Sequence, residues 1–315
     1  MTSSQTALAA APTADDSAAK AAAKAEWRGL ALGLAGVLIF SLTLPMTHIV
    51  VREISPWLNG LGRALLAALP AGALLWWRRS PWPTRKQCLD LIWVAAGVIV
   101  AFPVFSAWSM KTLPASHGAM VVGLLPLCVA LYAAWLAHER LTARFWICAL
   151  LGSAIVIGFT LRSGGGTLQS GDLLMLVAVV IGALGYAQGG RLAREMGGWQ
   201  VICWALVLSA PFLLPPVAWM AWHQPGPISL HAWLAFAYVT LFSQLIGFFA
   251  WYAGLAAGGI ARVGQVQLLQ IFFTLAFSAL FFGEHVAPVT WLAAAAVVAC
   301  VALGRKTPAA RSRPV

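Results

Sequence analysis

Arg63 is the residue with the most obvious chemistry to offer. It is the only Asp, Glu, Lys or Arg well inside a long apolar run, the stretch Ile54–Trp77. In a helix, a rise of 1.5 Å per residue sets Arg63 about 10 Å from the end near Trp57. A cation at that depth in hydrocarbon costs about 2.5–3.5 kcal/mol on insertion scales, which marks it as a candidate partner for a substrate carboxylate. The same depth lets the side chain snorkel to the polar boundary, and a guanidinium can also tie helices together through backbone carbonyls. Ser41, Pro45 and His48 follow at i, i+4 and i+7, one face of a helix. Proline leaves the carbonyl one turn back without its donor and can kink the helix. Histidine titrates near physiological pH, so His48 is the leading candidate for carrying a proton; the alternative is a hydrogen-bonded histidine at the membrane boundary.

Further along, Gln244, Phe248, Trp251 and Tyr252 fall at i, i+4, i+7 and i+8. Gln267, Gln270 and Thr274 make one stripe of a later run, with Gln265 nearly opposite. Buried amides need partners. A polar cavity on the bundle axis supplies them, and so do interhelical hydrogen bonds worth about 0.6–2 kcal/mol each. Trp108 and Trp251 could form an aromatic wall for an apolar or cationic solute, with lipid or packing contact as the plainer reading. No carboxylate lies in the middle of an apolar run. Neither H-E-x-x-H nor G-x-S-x-G occurs, and the five cysteines form no C-x-x-C pair. No metal, cofactor or catalytic residue is therefore expected, and no enzyme. Arg162-Ser-Gly-Gly-Gly166 lacks the Lys-Ser/Thr and following helix of a phosphate loop and reads as a linker.

The elements that hold these residues follow from composition. The chain has 315 residues, 61% hydrophobic and 9% charged, with mean hydropathy +0.84. Soluble domains run about 45–50% apolar and about 25% charged, so a soluble enzyme is excluded. A hydrocarbon core needs about 20 apolar residues per helix. Gly29–Val51, Ile54–Trp77, Leu91–Met110, Thr112–Ala137, Phe145–Leu161 and Leu173–Gly190 meet or approach that length. Met196–Ala261 has no charge and is divided by His223-Gln-Pro-Gly-Pro227, a turn signal. Val263–Gly283 and Val286–Gly304 complete ten expected helices. Continuous apolar runs, rather than alternating ones, mean helices rather than a barrel. The fold class is an all-α integral membrane protein, with a disordered tail over 1–26 and a basic tail over 305–315.

The net charge of +11 is then a statement of topology. Sixteen of the twenty basic residues fall at one end of the ten helices, three at the other, and Arg63 within a span. The positive-inside rule puts both termini in the cytoplasm, and a nucleic-acid partner is set aside. Glu139 and Glu284, 145 residues apart, each end an apolar run, and at the same offset Trp146 matches Trp291, Ala149 matches Ala294 and Ala154 matches Ala299. This gives two five-helix halves, 27–161 and 171–304, joined by 162–170. An odd number of spans per half inverts one against the other, a common transporter plan; duplication retained for packing is the alternative. The pairs Gly29/Gly33, Gly185/Gly189 and Gly254/Gly258 permit close helix approach.

The chain resembles the EamA-type transporters of the drug/metabolite transporter superfamily. The resemblance rests on L-P-A-S-H-G-A (113–119), Pro126, Glu139, G-L-A-A-G-G-I-A-R-V (254–263), Leu269-Gln-Ile-Phe-Phe273, Gly283-Glu284 and Arg63, and spans roughly 28–304. It departs at Ile271, where the family often has proline, and at His138, where glycine precedes the glutamate. The resemblance implies two inverted EamA repeats in the bacterial inner membrane. It also implies a small-molecule substrate, often an amino acid or related metabolite for export, moved by alternating access. Protons as coupling ion and a monomeric or homodimeric state are both open. A channel, or a non-transporting scaffold or receptor, is the alternative function.

Overall fold

The structure, a computed structural model, describes residues 14–137, 143–163, 168–264 and 266–304. Glu139, Gln265, the linker residues 164–167 and the tail 305–315 lie outside the described residues. The described residues are helical in ten segments. Helix α1 comprises Ala14–Ser41 and Thr43–Val50, and α2 is Pro56–Trp77. Helix α3 runs through Arg85–Val94, Ala95–Ala101 and Phe102–Ser109; α4 through Ala115–Val122 and Leu125–Ala137. Helix α5 is Ala143–Ser163, α6 Ser170–Met196 and α7 Gly198–Trp222. Helix α8 runs through Leu230–Tyr238, Val239–Ile246 and Gly247–Gly258. Helix α9 is Ile260–Val263, Val266–Leu268 and Leu269–Phe282, and α10 is Pro288–Gly304. Seven of these are long and apolar enough to cross a membrane; the apolar parts of α5, α9 and α10 are shorter.

Helix α1 begins at Ala14, so residues 14–26, expected as disordered tail, form its first turns. Alanine, the strongest helix former, dominates that stretch. Side-chain caps fix other starts. Ser55, Thr84 and Ser229 each accept the backbone N–H three residues on, from Leu58, Gln87 and Ala232.

Proline and glycine set the breaks. Helix α1 is interrupted at Leu42, three residues before Pro45. The ring of Pro45 leaves the Ser41 carbonyl without its helical donor, and the Thr274 hydroxyl of α9 donates to it at 2.9 Å. Helix α4 is interrupted at Gly123 and Leu124, just before Pro126. Two wider turns contain no proline. Ala95–Ala101 of α3 and Val239–Ile246 of α8 are π-helical, at nearly the offset that separates Glu139 from Glu284. Such wide turns gather at functional sites.

Packing follows a pattern. Helix α1 lies along α8 and α3 along α6; α2 packs on α7 and α5 on α10; α4 touches α6 and α9 touches α1. Exchanging the first five helices with the last five leaves this set of pairs unchanged. Glycines allow the closest approaches. A Cβ on Gly29 would lie 2.6 Å from the Gly258 backbone, and one on Gly97 2.8 Å from the Gly185 backbone. Outward faces are apolar, with Leu69, Phe212 and Leu280 at least 70% exposed, as lipid contact requires.

Candidate functional site

Arg63 sits on α2 with only 2% of its surface exposed. Snorkelling is thereby excluded. The side chain turns inward, and its Nε donates to Gln244 Oε1 at 2.9 Å. Gln244 in turn donates from Nε2 to the Val98 carbonyl at 3.0 Å. Gln244 stands in the π-helical segment of α8 and Val98 in that of α3, so one buried amide joins the two wide turns and the guanidinium. Helices α2 and α3 belong to the first half and α8 to the second. Arg63 Nη1 is buried with no hydrogen-bond partner. A buried unpaired donor on a charged group is costly, so this atom is poised for an anionic oxygen or water.

The space beside Arg63 is lined by Phe40, Thr43, Tyr186, Ser243, Phe248 and Gln270, among others. Phe40, Tyr186 and Phe248 pack together, with centroids 5.0–6.3 Å apart. Thr43 and Ser243, from the two halves, share a 2.8 Å hydrogen bond between hydroxyls. The cavity measures about 10 Å³, room for about one water. The site is therefore closed around its polar groups. Gln270 holds the Phe40 carbonyl at 3.5 Å through Nε2, and its Oε1 is buried without a partner.

The other nominated residues take separate places. Trp251 is fully buried against Phe40 and Tyr186, and Gln267 is buried with neither amide atom hydrogen-bonded. Tyr252 donates to the Gly185 carbonyl at 3.2 Å, pinning α8 to α6. Ser41 donates to the Val37 carbonyl within its own helix. Trp108 stands apart from Trp251 in its contacts. It packs edge-on to Trp57 at 6.3 Å, with the Lys111 ammonium 5.6 Å from its ring. His48 Nδ1 lies 2.9 Å from the Met110 carbonyl and Nε2 3.1 Å from Arg52 Nη2. A neutral ring with its proton on Nδ1 satisfies both contacts.

Two polar features, Asn59 and the His117–Asp172 pair, went unmarked in the sequence reading, and Glu284, marked there only as a repeat glutamate, makes a further contact. Asn59 is fully buried one turn before Arg63, on the same face of α2, and neither atom of its amide has a partner. The i, i+4 spacing from Arg63 was its signal. His117 and Asp172 form a buried pair, Nε2 to Oδ1 at 2.7 Å, joining α4 to α6. Nothing in the spacing joins them, because they lie on different helices 55 residues apart. Glu284, at the exit of α9, accepts from the N–H groups of Ala115 and Ser116 at 2.9 and 3.0 Å. It thus caps α4, where a helix N-terminus favours an anion. Among the described residues no group of three His, Cys, Asp or Glu is placed to hold a metal ion.

Fold and site together define a multi-pass helical membrane protein with a closed polar centre between its halves. The EamA-like transporter family model matches the chain twice, over 27–161 and 169–304. The chain belongs to that family, part of the drug/metabolite transporter superfamily, and is a membrane transporter. It is 42% identical to the uncharacterized transporter YdeK of Bacillus subtilis over 87% of this chain and 96% of that one. It is 25% identical to Protein PecM of Dickeya dadantii, covering 75% and 79% of the two chains. Identity is also 25% to the aromatic amino acid exporter YddG of Ancylobacter novellus, covering 75% and 82%. A crystal structure of another protein shares the fold, with TM-score 0.65 at 18% identity over 88% of this chain and 98% of that one.

Proposed function

We propose that this chain is a secondary transporter that moves a small carboxylate-bearing metabolite, an amino acid or related solute, through the bilayer by alternating access. The observation that carries the proposal is Arg63, buried where the halves meet, with Nη1 unpaired beside a cavity lined by Phe40, Tyr186 and Phe248. A carboxylate would pair with the guanidinium, and an apolar or aromatic side chain would meet the rings.

The finer reading has ten spans, as two inverted repeats over 27–161 and 171–304. It is supported by helix pairs that survive exchange of the halves and by the matched π-helical segments. Two similar halves give two arrangements of similar energy, one open to each side. The excess of basic residues at one end supports cytoplasmic termini in a bacterial inner membrane. Export is the direction favoured, since one relative is named an aromatic amino acid exporter. Protons are the proposed coupling ion, carried by His48, with no cofactor involved. The protein acts as a monomer or homodimer.

Counterflow in proteoliposomes across a panel of labelled amino acids tests the proposal. Saturable exchange of at least one zwitterion or anion is expected. Folded protein that exchanges none of them, or that passes an ohmic current, overturns it. His48→Gln is expected to flatten the pH dependence of transport. An unchanged profile moves the coupling to the His117–Asp172 pair.

A further inference from the structure

A second, open cavity lies away from Arg63. It is a groove of about 570 Å³ where the end of α2 meets α7, walled by Trp76, Trp77, Trp82 and Trp204. Pro81 and Pro83 flank Trp82 and restrict the loop that carries it. The Trp82 ring packs on Trp204 with centroids 4.7 Å apart. Trp76, Trp77 and Trp82 are 84%, 74% and 75% exposed. Tryptophans cluster at the level of lipid headgroups, so the groove opens at the membrane boundary.

Its polar groups are cationic or proton-donating. Arg79 and Ser80 line the groove. Ser80 Oγ and Trp204 Nε1 are buried without hydrogen-bond partners, and Trp204 is only 4% exposed. Arg78, Arg85 and Lys86 stand exposed on the same short stretch, with the Arg78 guanidinium 5.5 Å from the Trp77 ring centre. No acidic residue lines the groove.

Arg79 also occupies a position that suits another residue better. The turn ending α2 places it at φ +48°, the only non-glycine residue with positive φ among those described. Ser80 N–H closes the turn on the Leu75 carbonyl at 3.0 Å. Glycine is the usual occupant of that place, and a left-handed L-residue costs about 1–2 kcal/mol. The chain keeps a guanidinium there at the mouth of an aromatic groove.

We infer that this groove is a binding site for one anionic phospholipid, its phosphate held by Arg79, Ser80 and the Trp204 N–H and its acyl chain lying along the tryptophans. A bare anion would leave the aromatic walls empty, and a zwitterionic headgroup would set its own cation against Arg79. Basic pockets between helices take anionic headgroups for this reason. The lipid would bridge α2 of the first half and α7 of the second.

The test is native mass spectrometry of the full chain in mild detergent, titrated with phosphatidylglycerol or with phosphatidylcholine of matched chains. One phosphatidylglycerol is expected to be retained in preference to phosphatidylcholine. Arg79→Gly is the informative variant, because glycine accepts φ +48° and keeps the fold. It is expected to melt at or above the wild-type temperature yet bind phosphatidylglycerol about fivefold more weakly, with phosphatidylcholine unchanged. Arg79→Lys keeps the charge and is expected to retain most of the preference. Equal retention of the two lipids overturns the inference. So does unaltered binding by Arg79→Gly, displacement of the lipid by inorganic phosphate alone, or a second copy of the chain filling the groove.

Discussion

Helix α6 is fastened at both ends, and by opposite chemistry. Near its start Asp172 is 4% exposed and bonds to a histidine that is 7% exposed. The Gln169 N–H reinforces the carboxylate at 3.0 Å. Near its end Arg191 reaches Asp90 of α3 at 2.8 Å, with side chains 39% and 13% exposed, and Gln188 bridges the two. The first contact is a buried pair whose cation must bind a proton to exist. The second is a permanent cation at the protein surface. A buried pair carries a large penalty when one member is removed, whereas water and salt reach the more exposed arginine of the second pair and weaken it. Between them Gly185 lies against Gly97, close enough that neither position leaves room for a side chain. The helix is thus firmly held at one end, loosely held at the other, and pressed directly on α3 between.

Three substitutions probe that contrast. His117→Ala leaves the Asp172 carboxylate buried without its partner and is expected to cost about 3–5 kcal/mol, read as a large drop in melting temperature in detergent. Gly97→Ala puts a methyl 2.8 Å from the Gly185 backbone. Overpacking of that kind costs about 1–3 kcal/mol, and α3 and α6 should part enough to slow transport as well. Arg191→Gln should cost at most about 1 kcal/mol, less at high salt. If Arg191→Gln destabilised the protein more than His117→Ala, the assignment of strong and weak ends would be reversed.

The smallest effect is expected in the loop after α1. Glu53 accepts from the Ser229 N–H and hydroxyl at 2.6 and 2.7 Å. These bonds hold its pKa below the ordinary 4.5. A depressed carboxylate contributes stability above its unfolded pKa and loses it as pH falls through the folded value. Glu53→Gln should therefore melt slightly below wild type at neutral pH, and the difference should vanish on acidification below pH 4.5. A difference that grew in acid would contradict the assignment.

How much of this was legible in the sequence depended on whether the signal was local. Apolar runs, their proline breaks and the spread of basic residues are local, and they led to the helices. Arg63 was legible because one charge in an apolar run is conspicuous. Its partner was only half legible. Gln244 stood out as a buried amide, but its choice of the guanidinium over another helix depends on packing 181 residues away. The His117–Asp172 pair and the cap of α4 by Glu284 are likewise set by packing between distant helices. The π-helical turns at Ala95–Ala101 and Val239–Ile246 contain no proline, and only the first has one nearby, Pro103. The alanine-rich residues from Ala14 continue the helix outward from its apolar part, which a polar composition alone does not reveal.

The central claim is that Arg63 holds the solute's carboxylate at the meeting of the two halves. Its most direct test is Arg63→Ala beside wild type in proteoliposomes, with counterflow of a transported solute and melting temperature measured on the same preparations. Loss of counterflow in folded, normally inserted protein is the expected result. Counterflow at the wild-type rate by Arg63→Ala would contradict it.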